Sequence, residues 1–353
     1  MFKFGCRLPS CFRSIVVVEK NFKRYLSNEV AHQRFFEKRS QIINGKAISS
    51  KILSDLKCDI DDWINLGNRR PQLTAVVVGD HPASELYLKN KSRAAGVCGI
   101  TADIVRCPKT ISQRELLNII NDLNSDDIVD AILVQLPCPP HINEKNVFNT
   151  INVSKDVDGF NSVNIANLTL HEPGIVPCTA LAVNSIIQEL DIPEISLEAV
   201  VVGCSRYIGL PIFLTLRNYH NLGNVSKHSR NITLTLCNEY TPKSTLFHCL
   251  QRSDIIISAV GKPGVIKGDS IKPGAIVIDV GITMMSESKG EKQKFVGDVE
   301  FEKARDIASY ITPVPGGVGP VTVAMLMANT FHCAVIRKNR KMELDQANSM
   351  TED

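Results

Sequence analysis

Several features are absent from this 353-residue sequence, and each absence excludes a class of protein. No apolar run approaches the roughly 20 residues that a membrane-spanning helix needs, so a spanning segment is not predicted. No internal repeat and no low-complexity tract interrupts the chain. The 11 cysteines include no Cys-x-x-Cys pair and no Cys/His spacing of the kind that binds zinc. We therefore expect reduced thiols, without a disulfide framework or a metal site.

Acidic residues are scarce at the N-terminus. The first 26 residues contain six lysines and arginines but only one acid, Glu19, and charges interrupt their apolar residues. This composition is typical of a mitochondrial transit peptide, and residues 24–27 have the pattern of an arginine-anchored processing site. A basic N-terminus without a targeting role is the alternative. Because this segment carries more positive charge than the net +3 of the whole chain, the remainder is slightly acidic, and nucleic acid is not an expected partner.

The remaining sequence has the patterning of an α/β protein. Its composition, 44% hydrophobic and 22% charged, is enough for a sizeable core, and the length favours two domains. From residue 51 onward, helical patterns alternate with apolar runs, which predicts parallel sheets covered by helices. A second series of such runs, from residue 199, is typical of a dinucleotide-binding unit. A last apolar helix, at about residues 321–337, is expected to pack back on the first domain.

One candidate helix, residues 83–91, contains a pair of residues suited to catalysis. Tyr87 and Lys91 are four positions apart, so they share one face of the helix. A ring that stacks on a flat substrate and an amine that moves protons would then lie side by side. Most pairs of this kind lie on a half-exposed helix face, which is the alternative interpretation.

Two glycine-containing segments predict close approach of backbone to a ligand. Residues 313–320 hold three glycines and three prolines, which excludes a helix interior or a central strand and favours a rigid loop. Residues 203–209 follow an apolar strand and open a helix, where backbone N–H groups and the helix dipole can hold a pyrophosphate. Ser205 replaces the second glycine of the usual dinucleotide pattern. The alternatives are that residues 313–320 are only a connector and that residues 203–209 are a plain strand-to-helix turn.

Six blocks of the sequence occur together and in a fixed order. They are Ala83-Ser84-x-x-Tyr87-x-x-x-Lys91, Val134-Gln135-Leu136-Pro137, Lys155-Asp156-Val157-Asp158-Gly159, Gly203-x-Ser205-x-x-x-Gly209-x-Pro211, Asp279-Val280-Gly281-Ile282 and Thr312-Pro313-Val314-Pro315-Gly316-Gly317-Val318-Gly319-Pro320-x-Thr322. Taken together, these blocks resemble the methylenetetrahydrofolate dehydrogenase/cyclohydrolase family, in register from about residue 40 to about residue 337. The basic N-terminus and an insertion at about residues 218–231 are most similar to the mitochondrial bifunctional members.

The resemblance implies an activity in one-carbon metabolism. The enzyme would oxidise 5,10-methylenetetrahydrofolate to the 5,10-methenyl form with NAD or NADP, and would then hydrolyse that product to 10-formyltetrahydrofolate. The alternatives are a dehydrogenase without the hydrolytic step, a dehydrogenase of another small metabolite on the same two-domain plan, and a folate-binding protein without turnover. The resemblance also implies a homodimer that binds tetrahydrofolate derivatives. With the transit-like N-terminus it predicts the mitochondrial matrix, while the charge balance and the lack of long apolar runs predict no nucleic-acid or membrane partner.

The same resemblance implies an α/β fold of two domains. Residues 36–181 and 312–340 would form the folate-binding catalytic domain, to which the C-terminal helix returns. Residues 182–311 would form a Rossmann-like NAD(P)-binding domain. Residues 1–26 would be the transit peptide, and residues 341–353 a disordered tail.

Roles for individual residues are also implied by the resemblance. Lys91 would transfer protons in the hydrolytic half, with Gln135 as its neighbour, while Tyr87 would stack on the folate and Asp158 would hold the donor edge of the pterin. These four residues are the expected catalytic set. Substrate binding is implied for Tyr87, Gln135, Asp158, Pro315, Gly316 and Gly317. Cofactor binding is implied for Gly203, Cys204, Ser205, Gly209, Glu239, Ala259, Gly261, Gly281 and Thr322.

Four positions depart from what family members commonly have. Arginine is usual where this chain has Cys204, a basic or hydroxyl residue where it has Glu239, asparagine where it has Thr283, and glycine where it has Ala166. The first two departures fall on the adenosine side of the implied cofactor site. The arginines on which phosphate and magnesium assistance depends in mitochondrial relatives are missing, so that assistance is not expected here.

Glu239 bears most directly on the choice of cofactor. It comes just past the strand-like residues 232–236, where dinucleotide folds place an acid that binds the ribose 2′-hydroxyl and repels a 2′-phosphate. Its distance of 30 residues from Gly209 exceeds the usual spacing of roughly 20, and the insertion accounts for the excess. The sequence therefore predicts NAD over NADP, without stimulation by inorganic phosphate. In the alternative, Glu239 points to solvent and Arg206, Lys227 or Arg230 supplies a substitute cation.

Overall fold

Two parallel β-sheets organise the chain in the computed structural model, which describes residues 40–79, 82–190, 192, 196–217, 232–285 and 294–351. Side chains are described in the same ranges except for residues 82–87 and 344–351. The predicted transit peptide and the insertion at residues 218–231 lie outside the described residues. The elements of the first half are β1 (Gln41–Ile42), α1 (Gly45–Asn65), β2 (Gln72–Val78), α2 (Pro82–Cys98), β3 (Thr101–Cys107), α3 (Gln113–Ser125), β4 (Ala131–Val134), α4 (Glu144–Thr150), α5 (Ser162–Leu170) and α6 (Cys178–Glu189).

The first sheet has three parallel strands in the order β3-β2-β4. Its central strand β2 is buried on both faces because alternate side chains enter two different cores. Leu73, Ala75 and Val77 pack with α1 and α2, while Val76 and Val78 pack with α3 and α4. A strand covered by helices on both sides needs apolar residues at every position, which is why its sequence is a continuous apolar run.

The second sheet is built from the other half of the chain together with β1. Its elements are β5 (Leu197–Val202), α7 (Gly209–Arg217), β6 (Ile232–Cys237), α8 (Lys243–Arg252), β7 (Ile255–Ser258), β8 (Ile276–Asp279), β9 (Thr283–Met285), β10 (Lys294–Val296), α9 (Phe301–Arg305), β11 (Tyr310–Ile311) and α10 (Val318–Thr351). Six parallel strands follow the order β1-β11-β8-β7-β5-β6, and β9 pairs with β10 as a separate antiparallel ribbon. The predicted pair of parallel α/β units is thereby confirmed.

Strand β1 links the start of the chain to the second sheet. Gln41 pairs with Tyr310 and Ile42 with Ile311, so β1 forms the edge beside β11. The family resemblance implied residues 36–181 for the catalytic domain, and β1 falls within those bounds. A strand of two residues is too short to carry a periodic pattern, so its sheet is decided by tertiary pairing alone.

The predicted return of the last helix to the first half is confirmed. Leu326, Met327 and Cys333 of α10 share a core with Leu56 and Ile60 of α1, and α10 also packs along α6. By length and composition alone, residues 318–343 of this helix could cross a membrane. Its apolar face is buried in the protein core, which accounts for that hydropathy without a membrane.

The C-terminal end differs from the sequence prediction. A disordered tail was expected from residue 341 onward, whereas α10 continues to Thr351. Residues 341–351 contain neither proline nor glycine and include the good helix formers Lys341, Met342, Glu343 and Leu344. The helix therefore continues past its buried part because nothing in the sequence ends it.

Candidate functional site

The candidate site begins with a hydrogen bond between a helix and a strand end. Lys91 Nζ, on α2, donates to Gln135 Oε1 at 2.8 Å. Gln135 directly follows β4, and its Nε2 donates to the carbonyl oxygen of Leu136 at 2.7 Å. Because the amide nitrogen is engaged on that side, the amide oxygen is turned toward Lys91. The two residues that the family resemblance paired are thus in direct contact.

Asp158 lies close enough to Lys91 for their charges to interact. Burial lowers the pKa of the Lys91 amine, and the negative charge of Asp158 partly offsets that effect. Burial raises the pKa of Asp158 to about 7, against the influence of Lys91 and reinforced by the nearby Asp156. Among the described residues, no hydrogen-bond donor pairs with the Asp158 carboxylate. A carboxylate near its titration point that accepts no hydrogen bond from the described residues is well suited to receive donors from a ligand.

The segment that carries Asp158 is held by buried polar contacts. Asp156 Oδ2 accepts hydrogen bonds at 2.8 Å from the Asn161 backbone N–H and from Asn164 Nδ2. Gly159 has φ +69°, and a Cβ there would lie 2.6 Å from the carbonyl oxygen of Ile175, so only glycine fits. Lys155 donates to three carbonyl groups at the end of α3. Of the two acids in this motif, one therefore builds the segment and the other faces the site.

Asn329 on α10 fixes the same segment and was not found from the sequence. Its Nδ2 donates to the carbonyl oxygens of Val157 at 3.0 Å and Val176 at 2.9 Å, and lies 3.4 Å from Cys178 Sγ. The Cys178 thiol itself donates to Val157 O at 3.4 Å. Burial raises the pKa of this thiol well above its ordinary value, so it is neutral. A single asparagine in an apolar helix carries no local signal of such a role.

Residues 313–317 form a loop as predicted, whereas residues 318–320 are the first turn of α10, and both segments line a cavity of about 520 Å³. Gly316 has φ +109°, a conformation that favours glycine. Gly45, at the start of α1, packs so closely on the loop that a Cβ there would lie 1.8 Å from the carbonyl oxygen of Gly317. Asn90 and Arg93 of α2 line the opposite wall. The cavity therefore lies between the loop, with Pro315, Gly316 and Gly317, and α2, and Lys91 of that helix is not one of its lining residues.

The glycine turn after β5 forms a tight cradle at the start of α7. Gly203 has φ +106°, and a Cβ there would lie 2.3 Å from the carbonyl oxygen of Ala259. A Cβ on Gly209 would lie 1.9 Å from the carbonyl oxygen of Gly203. The backbone N–H of Gly209 donates to Ser205 Oγ at 3.3 Å, so Ser205 caps the helix where the usual pattern has a second glycine. This exposed turn at a helix N-terminus fits the pyrophosphate of a dinucleotide.

Two buried acids join the carboxyl ends of β7 and β8 beside this turn. Asp298 accepts from Ser258 Oγ at 2.9 Å and from the backbone N–H of Val260 at 2.7 Å. Asp279 accepts from the N–H groups of Gly281 and Asp298, both at 3.0 Å, and burial raises its pKa to about 6. A Cβ on Gly281 would lie 2.1 Å from Asp298 Oδ1, so this glycine is required by packing. The sequence did not reveal Asp298, which has no motif of its own.

The other implied cofactor residues are spread around the same strand ends. Cys204 lies exposed in the glycine turn, and Glu239 lies exposed in the turn after β6. Gly261 has φ +74°, and its carbonyl oxygen accepts a hydrogen bond from Thr283 Oγ1 at 3.2 Å. Thr322 lies in the first turns of α10, and its Oγ1 donates to Val318 O at 3.2 Å.

The structure therefore assembles two groups of predicted residues, one in each half of the chain. The space between the two halves, which includes the 520 Å³ cavity, is the cleft. Lys91, Gln135 and Asp158 come together around α2 and β4, and the glycine turn meets Ala259 at the ends of β5 and β7. The ring of Tyr87 lies outside the described side chains, although its position in α2 is one turn before Lys91. Within the residues that the structure describes, no group of three His, Cys, Asp or Glu side chains could hold a metal ion.

Comparison with protein families matches most of the chain to two descriptions. Residues 43–158 match the tetrahydrofolate dehydrogenase/cyclohydrolase catalytic domain. Residues 177–338 match the tetrahydrofolate dehydrogenase/cyclohydrolase NAD(P)-binding domain. The first match contains the Lys91 site, and the second contains the glycine turn.

Individual relatives agree with these matches. The mitochondrial bifunctional methylenetetrahydrofolate dehydrogenase/cyclohydrolase of Drosophila melanogaster is 45% identical over 85% of this chain and 96% of its own length. The solved 5,10-methylenetetrahydrofolate dehydrogenase of the silkworm Bombyx mori is 43% identical, with a TM-score of 0.78 over 85% of this chain and 99% of that chain. A Trypanosoma brucei dehydrogenase-cyclohydrolase, solved with NADP and an inhibitor, is 36% identical, with a TM-score of 0.76 over 83% and 97%.

Proposed function

Because the chain belongs to the tetrahydrofolate dehydrogenase/cyclohydrolase family, we propose that Lys91, Gln135 and Asp158 act on 5,10-methylenetetrahydrofolate. The protein is a bifunctional enzyme of one-carbon metabolism, with a dehydrogenase and a cyclohydrolase activity. The observation that carries the residue assignment is the 2.8 Å hydrogen bond between Lys91 and Gln135, with the Asp158 carboxylate beside it.

In the first half of the reaction, the substrate is held while its one-carbon bridge loses a hydride. A nicotinamide cofactor held at the glycine turn of residues 203–209 would accept that hydride, and the bridge, which loses two electrons with the hydride, becomes the methenyl cation. Asp158 accepts hydrogen bonds from the donor edge of the pterin, and Tyr87 stacks on the folate. Pro315, Gly316 and Gly317 bring the loop backbone against the ligand, because residues without bulky side chains allow close approach.

In the second half, water adds to the methenyl carbon and one proton is released. The bond from that carbon to N5 breaks, N5 takes up the second proton of the water, and the formyl group stays on N10. Neutral Lys91 takes the proton from the attacking water, which requires an amine whose pKa is lowered, and burial lowers the pKa of this one. Gln135 Oε1 holds the amine in place through the 2.8 Å hydrogen bond. None of these steps needs the cofactor, so hydrolysis depends on the Lys91 side of the cleft alone.

The chain's own residues favour NAD over NADP as the cofactor. Glu239 is exposed in the turn after β6, near the end of the strand where a ribose is bound in dinucleotide folds. Its carboxylate accepts from a ribose 2′-hydroxyl and repels a 2′-phosphate. Cys204 cannot supply the guanidinium that would bind either a 2′-phosphate or free phosphate. Arg206, a candidate substitute, lies over the ring of Tyr207, with its guanidinium carbon 5.7 Å from the ring centroid.

Replacement of Glu239 by serine tests this assignment. We expect the unmodified protein to use NAD with a kcat/KM at least about tenfold above that for NADP, and to show no stimulation by inorganic phosphate. Glu239→Ser should raise kcat/KM for NADP about tenfold, since roughly 1.4 kcal/mol of repulsion is removed. The measurement is initial rate with both cofactors, with and without phosphate, followed by absorbance of the methenyl product.

Glu302→Ser serves as the matched control, because Glu302 is an exposed acid of α9 in the same half of the protein. It should leave the cofactor ratio unchanged. Two results would contradict the assignment: a preference for NADP in the unmodified protein, or a ratio of kcat/KM for NAD and NADP that Glu239→Ser does not alter. Either would show that Glu239 does not bind the ribose 2′-hydroxyl.

We also infer that the protein works in the mitochondrial matrix. The basic, acid-poor composition of the first 26 residues supports this, as does the mitochondrial designation of the Drosophila melanogaster relative. The mature chain is then expected to begin near Leu26 or Ser27. N-terminal sequencing of protein recovered from purified mitochondria checks this, with the recombinant full-length chain as reference. An intact Met1 on the mature form would contradict the inference.

A further inference from the structure

An aromatic cluster joins the two sides of the cleft. Phe148 of α4, Phe160 and Tyr207 have mutual ring-centroid distances of 4.8 to 5.2 Å. Phe148 is fully buried, and the other two rings are partly buried against the same core, the one that covers the outer face of β4. Tyr207 comes from the second half of the chain, so its ring enters the core of the first half.

Phe160 and Tyr207 each lie beside residues that are proposed to bind a ligand. Phe160 is two residues after Asp158, separated from it by Gly159. Tyr207 lies in the turn between Ser205 and Gly209, the cradle suited to a pyrophosphate. The cluster is thus a direct contact between the segment proposed to hold the folate and the turn proposed to hold the cofactor.

The folate side of this contact is rigidly supported. The Asn161 backbone N–H donates to Asp156, while Asn161 Nδ2 donates to the carbonyl oxygens of Phe148 at 3.3 Å and Ile151 at 3.0 Å. One buried side chain therefore connects the backbones that carry both phenylalanine rings. A ring packed against such a surface has few alternative positions. The Tyr207 ring therefore holds the cofactor turn at a fixed place relative to the Asp158 segment.

Other contacts hold the two halves together without Tyr207. Helix α7, which follows the glycine turn, packs against α5 and α6. Removal of the Tyr207 ring should therefore leave the domains assembled and relax only the turn. This distinguishes a positioning contact from a contact that the fold requires.

We propose that Tyr207 is a positioning residue for the dehydrogenase step, because its ring fixes the cofactor turn relative to the Asp158 segment. This inference rests on the proposed function. In hydride transfer the donor carbon of the folate and the acceptor bound in the other half must approach closely, and a displacement of about 1 Å can reduce the rate by roughly a hundredfold. Hydrolysis of the methenyl product needs only the Lys91 side of the cleft. The two activities therefore differ in their need for Tyr207.

The test compares both activities in Tyr207→Ala, using 5,10-methylenetetrahydrofolate with NAD for one and 5,10-methenyltetrahydrofolate without cofactor for the other. We expect dehydrogenase kcat to fall about tenfold or more, and hydrolysis to stay within about twofold of the unmodified protein. Tyr207→Phe, which keeps the ring, should restore dehydrogenase kcat. Phe247→Ala is the matched control, because Phe247 is a half-exposed aromatic residue of α8 that contacts His248. It should alter neither activity.

Equal effects on the two activities, or no effect on either, would overturn the inference, since both results are incompatible with a role confined to hydride transfer. If Tyr207→Ala does not fold, Tyr207→Leu keeps apolar bulk without a flat ring and carries the same expectations. An unmodified protein that lacks both activities would overturn the proposed function and this inference with it. An active protein whose dehydrogenase step is indifferent to Tyr207 would overturn the inference alone.

Discussion

Lys91→Met is expected to abolish hydrolysis of 5,10-methenyltetrahydrofolate, with a loss of at least about 10²-fold and up to about 10⁴-fold in rate. The methionine side chain has similar length and keeps the packing of α2, but it cannot accept a proton from water. Folate affinity should change by less than about tenfold, since one amine contributes more to the proton path than to contact area. The decay of methenyl absorbance measures the rate, and titration with folate measures the affinity.

Lys89→Met provides the matched control for this change. Lys89 lies two residues away on the same helix but is exposed, so its replacement alters the same kind of side chain outside the site. Hydrolysis should be unaffected in this variant. Normal hydrolysis in Lys91→Met would reject the role assigned to the amine, and the 2.8 Å contact with Gln135 would then be structural.

Asp158→Asn is expected to weaken folate binding by about 1.5–3 kcal/mol, or roughly 10- to 150-fold in Kd, because charge-assisted hydrogen bonds become neutral ones. The pH dependence gives a sharper test. Burial raises the pKa of this carboxyl group to about 7, so it is mostly ionised at pH 8 and mostly protonated at pH 6. If the ligand binds the ionised form, folate Kd should rise about tenfold as pH falls from 8 to 6.

Asp158→Asn and a control variant separate the titration of the Asp158 carboxyl group from the titration of the ligand. In Asp158→Asn the dependence on pH should be flat over the same range, apart from any titration of the folate itself, which both proteins share. Asp122→Asn, at an exposed acid of α3, should keep both the affinity and the pH profile of the unmodified protein. Equal folate affinity in the Asp158 variant and the unmodified protein would place this carboxylate outside the binding site.

The residues that could be predicted from the sequence are those whose role follows from a local sequence pattern. Tyr87 and Lys91 are paired by the helical repeat, and Gly203 and Gly209 are recognisable because a tight strand-to-helix turn excludes a Cβ. The apolar run of β2 predicts a strand buried on both faces. Each of these signals needs only a few neighbouring residues, so no knowledge of the folded chain is required to read it.

The residues that could not be predicted depend on partners far away in the chain. Asn329 is 172 residues from Val157, whose carbonyl it binds, and Tyr207 is 47 residues from Phe160. Nothing in the sequence around either residue distinguishes it from an ordinary buried asparagine or a turn tyrosine. The helix through residues 341–351 was missed for a different reason. The polar composition of these residues suggested a disordered tail. They nevertheless continue α10, because the buried part of that helix has already nucleated it.

By itself the sequence determined the parallel α/β class, the family, the pairing of Tyr87 with Lys91, and the glycine positions of the cofactor turn. These depend on local periodicity, on steric exclusion at single positions and on the order of motifs along the chain. Only the tertiary structure decided that β1 completes the second sheet, that Asn329 and Cys178 hold the Asp158 segment, and that Tyr207 joins the two sides of the cleft. These contacts form between segments that become neighbours only when the chain folds, because packing selects them and no local pattern encodes them.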